Sequence, residues 1–230
     1  MMYSMVLRSV MISLLLALPA FLSAQTNIPS LPLYEVQTSR VPKGLIFFVT
    51  GDGGWNSFSK GLCSSLAQKG FNVVALDAKK YFWTERDPDT FSTDMSAVVI
   101  HYQNKWTVND WILVGYSFGA DVAPFALSRL DKKMARLPKV CLLLHPSAST
   151  DFEVKVLDML SMGSIARKYD VLAEIQKSPC PTLCIIPEDE QIISYTNESL
   201  IKVKKLPGNH RFDNDFSALT STILTFIDLF

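Results

Sequence analysis

The sequence predicts an α/β fold in which a mostly parallel sheet is covered by helices on both faces. Short, continuous apolar runs recur along the chain, as expected for strands that are buried on both sides. These runs alternate with stretches of helical period, which is the order of a parallel sheet with crossover helices. The chain has 230 residues, of which 48% are hydrophobic, so it can bury one sizeable core.

The predicted elements alternate after an edge strand near residues 34–38. The first helix has Phe58, Leu62 and Leu66 on one face and ends at Gly70, and the last places Phe216 and Ile223 on one face. The apolar runs predict strands at 45–50, 71–77, 111–116, 140–145, 182–186 and 200–206. The helical patterns predict helices at 57–69, 90–104, 121–130, 171–177 and 214–229. No long helical insertion follows the strand that ends at His145, so the prediction includes no large lid.

The first 24 residues are predicted to be a secretory signal peptide. Arg8 is their only charged residue, residues 10–22 are almost wholly apolar, and small residues precede Gln25. Cleavage would distinguish this from an uncleaved anchor. We therefore expect an exported protein whose residues 25–230 form a single domain.

The composition excludes some partners. The formal net charge is +0, which argues against nucleic acid. Cys180 and Cys184 are too far apart on an extended segment to form a disulfide with each other, and Cys141 and Cys184 are expected to be buried free thiols. None of the four cysteines has zinc-ligand spacing. The prediction includes no metal and no cofactor.

The most informative motif is Gly115-Tyr116-Ser117-Phe118-Gly119, which lies between a predicted strand and a predicted helix. This is the pattern of the nucleophile elbow of α/β-hydrolases, in which a sharp turn holds a serine at the end of the sheet. The sequence therefore predicts an α/β-hydrolase with Ser117 as its nucleophile.

A base and an acid follow in the order that this fold uses, which is serine, then acid, then histidine. His210 follows the strand at 200–206 and is the predicted base. Glu188, Asp189 and Glu190 follow the strand at 182–186. Glu190 is the predicted triad acid, and Asp189 is the alternative. Both groups come after strand ends, where active sites of open α/β sheets form.

The oxyanion hole is expected at two loops. One donor is the backbone N–H of Phe118, directly after the nucleophile, and the other is an amide within Asp52-Gly53, in the glycine-rich loop after the strand at 45–50. That loop lacks the spacing of a nucleotide-binding P-loop.

These motifs together resemble the bacterial virulence family of VirJ and AcvB. The similar segments are residues 51–55, 81–83, 115–122 and 207–212. The resemblance implies a periplasmic serine hydrolase of the short, VirJ-like form, with Ser117, His210 and Glu190 in the catalytic positions. AcvB-like members release lysine from lysyl-phosphatidylglycerol, and VirJ is linked to type IV secretion.

An aminoacyl ester of this kind carries an ammonium group. Asp52 and Asp121 are candidate ligands for it, although Asp121 would equally suit the first turn of a helix. Trp55, Tyr81 and Trp83 are candidates to line a pocket for the substrate. The expected partner is a lipid head group or another ester, with peripheral membrane contact and secretion-system components as further candidates. The alternatives are a non-catalytic accessory protein of a type IV secretion system on a hydrolase scaffold and a generic exported esterase.

Overall fold

The structure is a computed structural model, and it describes residues 30–130, 134, 136–154, 167–190 and 199–230. The predicted signal peptide lies outside this part of the chain, as do residues 155–166, on which the prediction of no large lid partly depends. None of the helices in the described ranges combines the length and apolar character that a membrane span requires.

The strands and helices alternate as the sequence predicts, with boundaries within a few residues. The strands are β1 (Leu33–Val36), β2 (Leu45–Val49), β3 (Asn72–Leu76), β4 (Trp111–Tyr116), β5 (Cys141–Leu144), β6 (Ser149–Thr150), β7 (Tyr169–Asp170), β8 (Thr182–Pro187) and β9 (Ile201–Leu206). The helices are α1 (Ser57–Gln68), α2 (Ala78–Tyr81), α3 (Pro88–Trp106), α4 (Phe118–Leu127), α5 (Val171–Ile175) and α6 (Phe216–Ile227).

Seven of these strands form one sheet in the order β1-β3-β2-β4-β5-β8-β9. β1 is antiparallel to β3 at one edge, and every other pair in this sheet is parallel. The carboxyl ends of β2, β4, β5, β8 and β9 therefore meet along one edge, where the loops that carry Ser117 and His210 begin. The predicted mostly parallel sheet is confirmed.

Helices cover both faces of the sheet, so its central strands are buried on both sides. Successive residues of β2 alternate between two cores: Phe47 packs with residues of α2 to α5, and Phe48 packs with residues of α1 and α6. All five residues of β2 are buried. This is the reason why the strand is a continuous apolar run in the sequence.

Three features depart from the predicted elements. α4 begins at Phe118 rather than Asp121, because the chain turns directly from the elbow into the helix. The short helix α2 and the two-stranded ribbon of β6 and β7 were not predicted. The four cysteines are buried and form no disulfide in the described part of the chain, as expected for Cys141 and Cys184.

Candidate active site

Ser117 lies in a sharp turn between β4 and α4, with backbone φ of 52° and ψ of −122°. A non-glycine residue rarely adopts a positive φ, so the surrounding structure has to hold it there. A Cβ added at Gly115 would lie 2.5 Å from the carbonyl oxygen of Gly119, and one added at Gly119 would press on the carbonyl oxygens of Val49 and Thr50. The two glycines are therefore required for the close approach of helix and strand that forms this elbow.

His210 lies in the loop after β9, and its Nε2 is 2.9 Å from Oγ of Ser117. The Tyr116 hydroxyl donates a hydrogen bond to the carbonyl oxygen of His210 at 3.3 Å, and Gly208 turns the loop with a positive φ of 105°. The structure thus brings together the predicted nucleophile and the predicted base, although 93 positions separate them in the chain.

The predicted acid does not contact this base directly. Oε1 of Glu190 lies 2.5 Å from Nε2 of His145. The same Nε2 is 3.2 Å from Nδ1 of His210. Asp189 is exposed in the turn after β8. The expectation that Glu190 contacts His210 directly, as a triad acid would, is wrong because the imidazole of His145 lies between the two groups.

The surroundings of His210 favour its neutral form. Burial lowers its pKa below the usual value for a histidine, and a positive charge on His145 lowers it further. The carboxylates of Asp52 and Glu190 oppose this and raise the pKa of His210. A neutral imidazole is the form that can accept the proton of a serine hydroxyl.

The loop after β2 lies against the elbow. A Cβ at Gly51 would be 3.3 Å from Cβ of Ser117, and the amide of Gly54 closes the loop by donating to the Gly51 carbonyl at 2.9 Å. Phe118 is the first residue of α4, where backbone amides have no carbonyl acceptor within the helix. The two segments predicted to supply oxyanion donors, Phe118 and Asp52-Gly53, therefore meet beside Ser117.

A small acidic cavity of about 120 Å³ opens beside Ser117. Four of its lining residues are acidic and one is basic, and the charged lining residues are Asp52, Asp121, Asp151, Glu153 and Arg167. Asp121 is 2% exposed, and its Oδ1 accepts a hydrogen bond from the amide of Ser147 at 2.6 Å. Burial raises the pKa of Asp121 to about 7. A carboxyl group of this kind becomes charged near neutral pH, next to the predicted nucleophile.

A second depression, of about 540 Å³, lies on the other side of the glycine-rich loop. Trp55 and Trp83 line it, and Trp55 stacks on Tyr34 with ring centroids 4.9 Å apart. Lys79 and Lys80 also line it. We call this depression the aromatic groove. It contains two of the three aromatic residues that the sequence suggested as pocket residues.

The third, Tyr81, is not part of the groove. It is 2% exposed and packs in the core, where its hydroxyl donates to Asp94 at 2.6 Å and its ring lies edge-on to Phe82. The predicted substrate contact of Tyr81 is thereby corrected. The short helix α2 turns this side chain inward and leaves Trp83, two residues later, 56% exposed.

Sequence reasoning missed two contributors to this site. The sequence analysis predicts only that His145 ends a strand, and it predicts no role for Arg167, which lines the acidic cavity. His145 did carry a usable signal, because it follows β5 at the same edge of the sheet as Ser117 and His210. Arg167 lies far from any motif in the sequence and gave no such signal.

Comparisons with known proteins identify a family and a fold. A family model described as "Bacterial virulence protein (VirJ)" matches residues 44–229. A search of curated protein sequences found no match. Among solved structures, Est1E from Butyrivibrio proteoclasticus is similar, with 16% identity over 85% of this chain and 92% of that one and a TM-score of 0.59.

Two further structures show the same likeness. MenH from S. aureus has 10% identity over 85% of this chain and 97% of that one, with a TM-score of 0.61. Proline iminopeptidase from Mycobacterium smegmatis has 11% identity over 86% of this chain and 94% of that one, with a TM-score of 0.58. At these identities the likeness shows the α/β-hydrolase fold alone.

Proposed function

The chain belongs to the VirJ family of bacterial virulence proteins and has an α/β-hydrolase fold, and from this we propose that it is a periplasmic serine hydrolase. The proposed substrate is an aminoacyl ester of a phosphatidylglycerol head group, such as lysyl-phosphatidylglycerol. The observation that carries the proposal is the 2.9 Å contact between Oγ of Ser117 and Nε2 of His210, beside an acidic cavity. The proposed periplasmic location is supported by the apolar N-terminal segment, which indicates export, and by the family resemblance.

The proposed chemistry is acyl transfer in two steps. Oγ of Ser117 attacks the ester carbonyl carbon while its proton passes to Nε2 of His210. The oxyanion that forms accepts hydrogen bonds from backbone amides of Phe118 and of the loop at Asp52-Gly53. The glycerol oxygen then leaves with the proton from His210, and water releases the amino acid from Ser117 with His210 again acting as the base. The products are a free amino acid and phosphatidylglycerol.

The acidic cavity supports a cationic acyl group. The α-ammonium of an ester-linked amino acid lies one carbon from the carbonyl that Ser117 would attack. Asp52 and Asp121 both line the cavity that Ser117 opens into. A buried carboxylate attracts a cation more strongly than an exposed one, since water screens it less. Asp121 is therefore the stronger candidate ligand for this ammonium.

The aromatic groove supports an anionic, lipid-borne leaving group. Nζ of Lys80 hydrogen-bonds to the Tyr34 hydroxyl at 2.8 Å and lies 3.7 Å from the carboxylate of Asp77, while Lys79 adds a further positive charge. The exposed indole of Trp83 is a residue type that favours membrane–water interfaces. The glycine-rich loop borders both depressions, so an ester bond held at this loop would have its cationic acyl group on one side and its phosphate on the other.

The decisive experiment combines active-site labelling with lipid hydrolysis. The purified protein is expected to react with a fluorophosphonate probe and to release lysine from lysyl-phosphatidylglycerol in detergent micelles. The Ser117→Ala variant should lose both activities, by about 10³-fold or more. The control Ser221→Ala changes an exposed serine on α6 and should retain both.

The pattern of results separates the alternatives. Failure of the unaltered protein to label would contradict the proposal and favour a secretion accessory on a hydrolase scaffold. Labelling with hydrolysis of neutral esters, but none of aminoacyl lipids, would contradict the proposed substrate and favour a generic exported esterase. Equal turnover by Ser117→Ala would contradict a serine mechanism.

A further inference from the structure

The side-chain partner of His210 Nδ1 is a second imidazole. Nε2 of His145 lies 3.2 Å from this atom, and the two rings are 3.9 Å apart between centroids, with their planes inclined by 57°. In a serine triad this place is usually taken by a carboxylate. The carboxylate of Glu190 lies on the far side of His145, in contact with the same Nε2.

This arrangement is unusual because Nε2 of His145 faces two partners but can hydrogen-bond to only one of them at a time. Its Nε2 faces both Nδ1 of His210 and Oε1 of Glu190, at 3.2 Å and 2.5 Å. An imidazole nitrogen has one in-plane position, occupied by either a proton or a lone pair. Nε2 can therefore donate to Glu190 or accept from His210, but it cannot do both at once.

The reactive state selects one of these two arrangements. For Nε2 of neutral His210 to accept the Ser117 proton, its own proton has to be on Nδ1, pointing at His145. Nε2 of His145 is then the acceptor, and its ring proton is on Nδ1. That Nδ1 is buried and has no hydrogen-bond partner among the described residues, so no contact there fixes the tautomer.

The backbone positions His145 for this contact. It follows β5 with a positive φ of 59°, and its amide donates to the carbonyl of Ile185 in β8 at 2.7 Å. The amide of Ser147, two residues later, is bound by Asp121. A β-sheet neighbour and a buried carboxylate thus hold the segment on both sides of the imidazole, whose side chain is 14% exposed.

We propose that His145 is a positioning residue between Glu190 and His210: it holds the imidazole of the base, and the acid is in contact with the base only through this second imidazole. This inference rests on the proposed function of Ser117 and His210. In the acylation step, His210 Nε2 takes the serine proton and later gives it to the leaving alcohol. During this step Nε2 of His145 accepts the hydrogen bond from Nδ1 of His210 and does not donate to Glu190. The carboxylate of Glu190 stabilises, by its charge, the positive charge that the pair carries in between.

The test is a double-mutant cycle. His145→Asn is the first variant, because asparagine tolerates the left-handed backbone at this position. Glu190→Gln is made both in the unaltered protein and in His145→Asn, and the readout is the rate at which the fluorophosphonate labels Ser117. Each single change is expected to slow labelling by about 10-fold or more, below the ~10⁴-fold known for loss of an orienting carboxylate. Glu190→Gln should then cost less than about 2-fold further in the His145→Asn background.

The pH profile of labelling gives a readout that a merely structural role would not move. A positive charge on His145 lowers the pKa of His210, so His145→Asn should shift the acid limb of the rate to higher pH. The other charges that act on His210 are Asp52, Glu190 and Arg211, and they are unchanged in this variant. The control is His101→Asn on α3, which should leave the rate and the profile unaltered.

Three outcomes would overturn the inference. Glu190→Gln could slow labelling by the same factor in both backgrounds, which would mean that it acts independently of His145. His145→Asn could leave the rate unchanged, or could lower it with the acid limb unmoved. If circular dichroism shows that His145→Asn does not fold, His145→Gln takes its place in the same cycle. Absence of labelling in the unaltered protein would contradict the proposed function and this inference together, whereas additive effects in a labelled protein contradict only the role of His145.

Discussion

Asp121→Asn is expected to stabilise the protein in a pH-dependent way. The carboxyl group is 2% exposed, and burial raises its pKa from 3.8 to about 7. An asparagine at this position has the same shape and retains an oxygen that can accept the hydrogen bond from the Ser147 amide. The substitution therefore removes the charge and keeps the local geometry.

The magnitude follows from the pKa difference. Below about pH 4 the carboxyl is neutral in the folded and the unfolded chain, so the wild-type protein has no penalty. As pH rises from the unfolded pKa of 3.8 to the folded pKa of about 7, the unfolded chain ionises first, and folding stability falls. About three pKa units at 1.36 kcal/mol each give a loss of about 4 kcal/mol above pH 7. The variant escapes this loss, so its Tm at pH 8 should be higher by about 10 °C.

The assay is chemical denaturation of both proteins between pH 4 and pH 8. The difference in free energy of unfolding should be near zero at pH 4 and should grow through the window up to pH 7. Asp228→Asn, which changes an exposed carboxyl at the end of α6, is the matched control and should stay within about 0.5 kcal/mol of the wild type. A difference that is constant with pH, or that favours the wild type at pH 8, would refute the reasoning.

Two further predictions concern the elbow and the base. Gly119→Ala should lower the free energy of unfolding by about 3 kcal/mol, because the new Cβ presses on the carbonyl oxygens of Val49 and Thr50. Thermal unfolding measures this, and Gly53→Ala, whose Cβ would meet the side-chain amide of Asn56 rather than backbone, should lower it by less. Asp52→Asn should move the acid limb of fluorophosphonate labelling to lower pH, because the Asp52 carboxylate raises the pKa of His210; a shift to higher pH would contradict this assignment.

The sequence predicted the main sheet well because each central strand is a continuous apolar run that is buried on both faces. β4 was predicted at its observed bounds, 111–116, and the elbow directly follows it. The glycines on both sides of Ser117 match the close approach of helix and strand in the elbow, so this steric demand is visible in the sequence itself.

Side-chain direction in short elements was not predictable in the same way. Tyr81, Phe82 and Trp83 are consecutive aromatic residues, and only the four-residue helix α2 decides that two are buried and one is exposed. Such a helix is too short for a 3.6-residue period to appear in the sequence. The prediction that Tyr81 lines a pocket is therefore wrong for a local reason, whereas Trp83 lines the aromatic groove.

The position of Glu190 relative to His210 could be predicted only from the register between strands. Glu190 and His145 are distant in sequence and meet because β5 and β8 are parallel neighbours, with Leu144 opposite Ile185. The three predicted residues follow one another along the chain as serine, acid and histidine. This order carries no information about a second imidazole between the acid and the base. Polar residues that follow neighbouring strands therefore form one group in the fold, and His145 belongs to it although Pro146 follows it.

The loop after β2 connects these observations. Asp52 lines the acidic cavity and also acts electrostatically on His210 and Asp121, while Gly53 and Gly54 line the aromatic groove. One short turn thus affects the pKa of His210 and separates the acidic cavity from the aromatic groove, and under the proposed function it would also supply an oxyanion donor. Because the turn is packed against the elbow through Gly51, the proposed function would couple the orientation of a charged substrate to the position of its carbonyl. A substrate with the opposite charge pattern would have to bind with its ester reversed, which would direct its leaving alcohol into the acidic cavity.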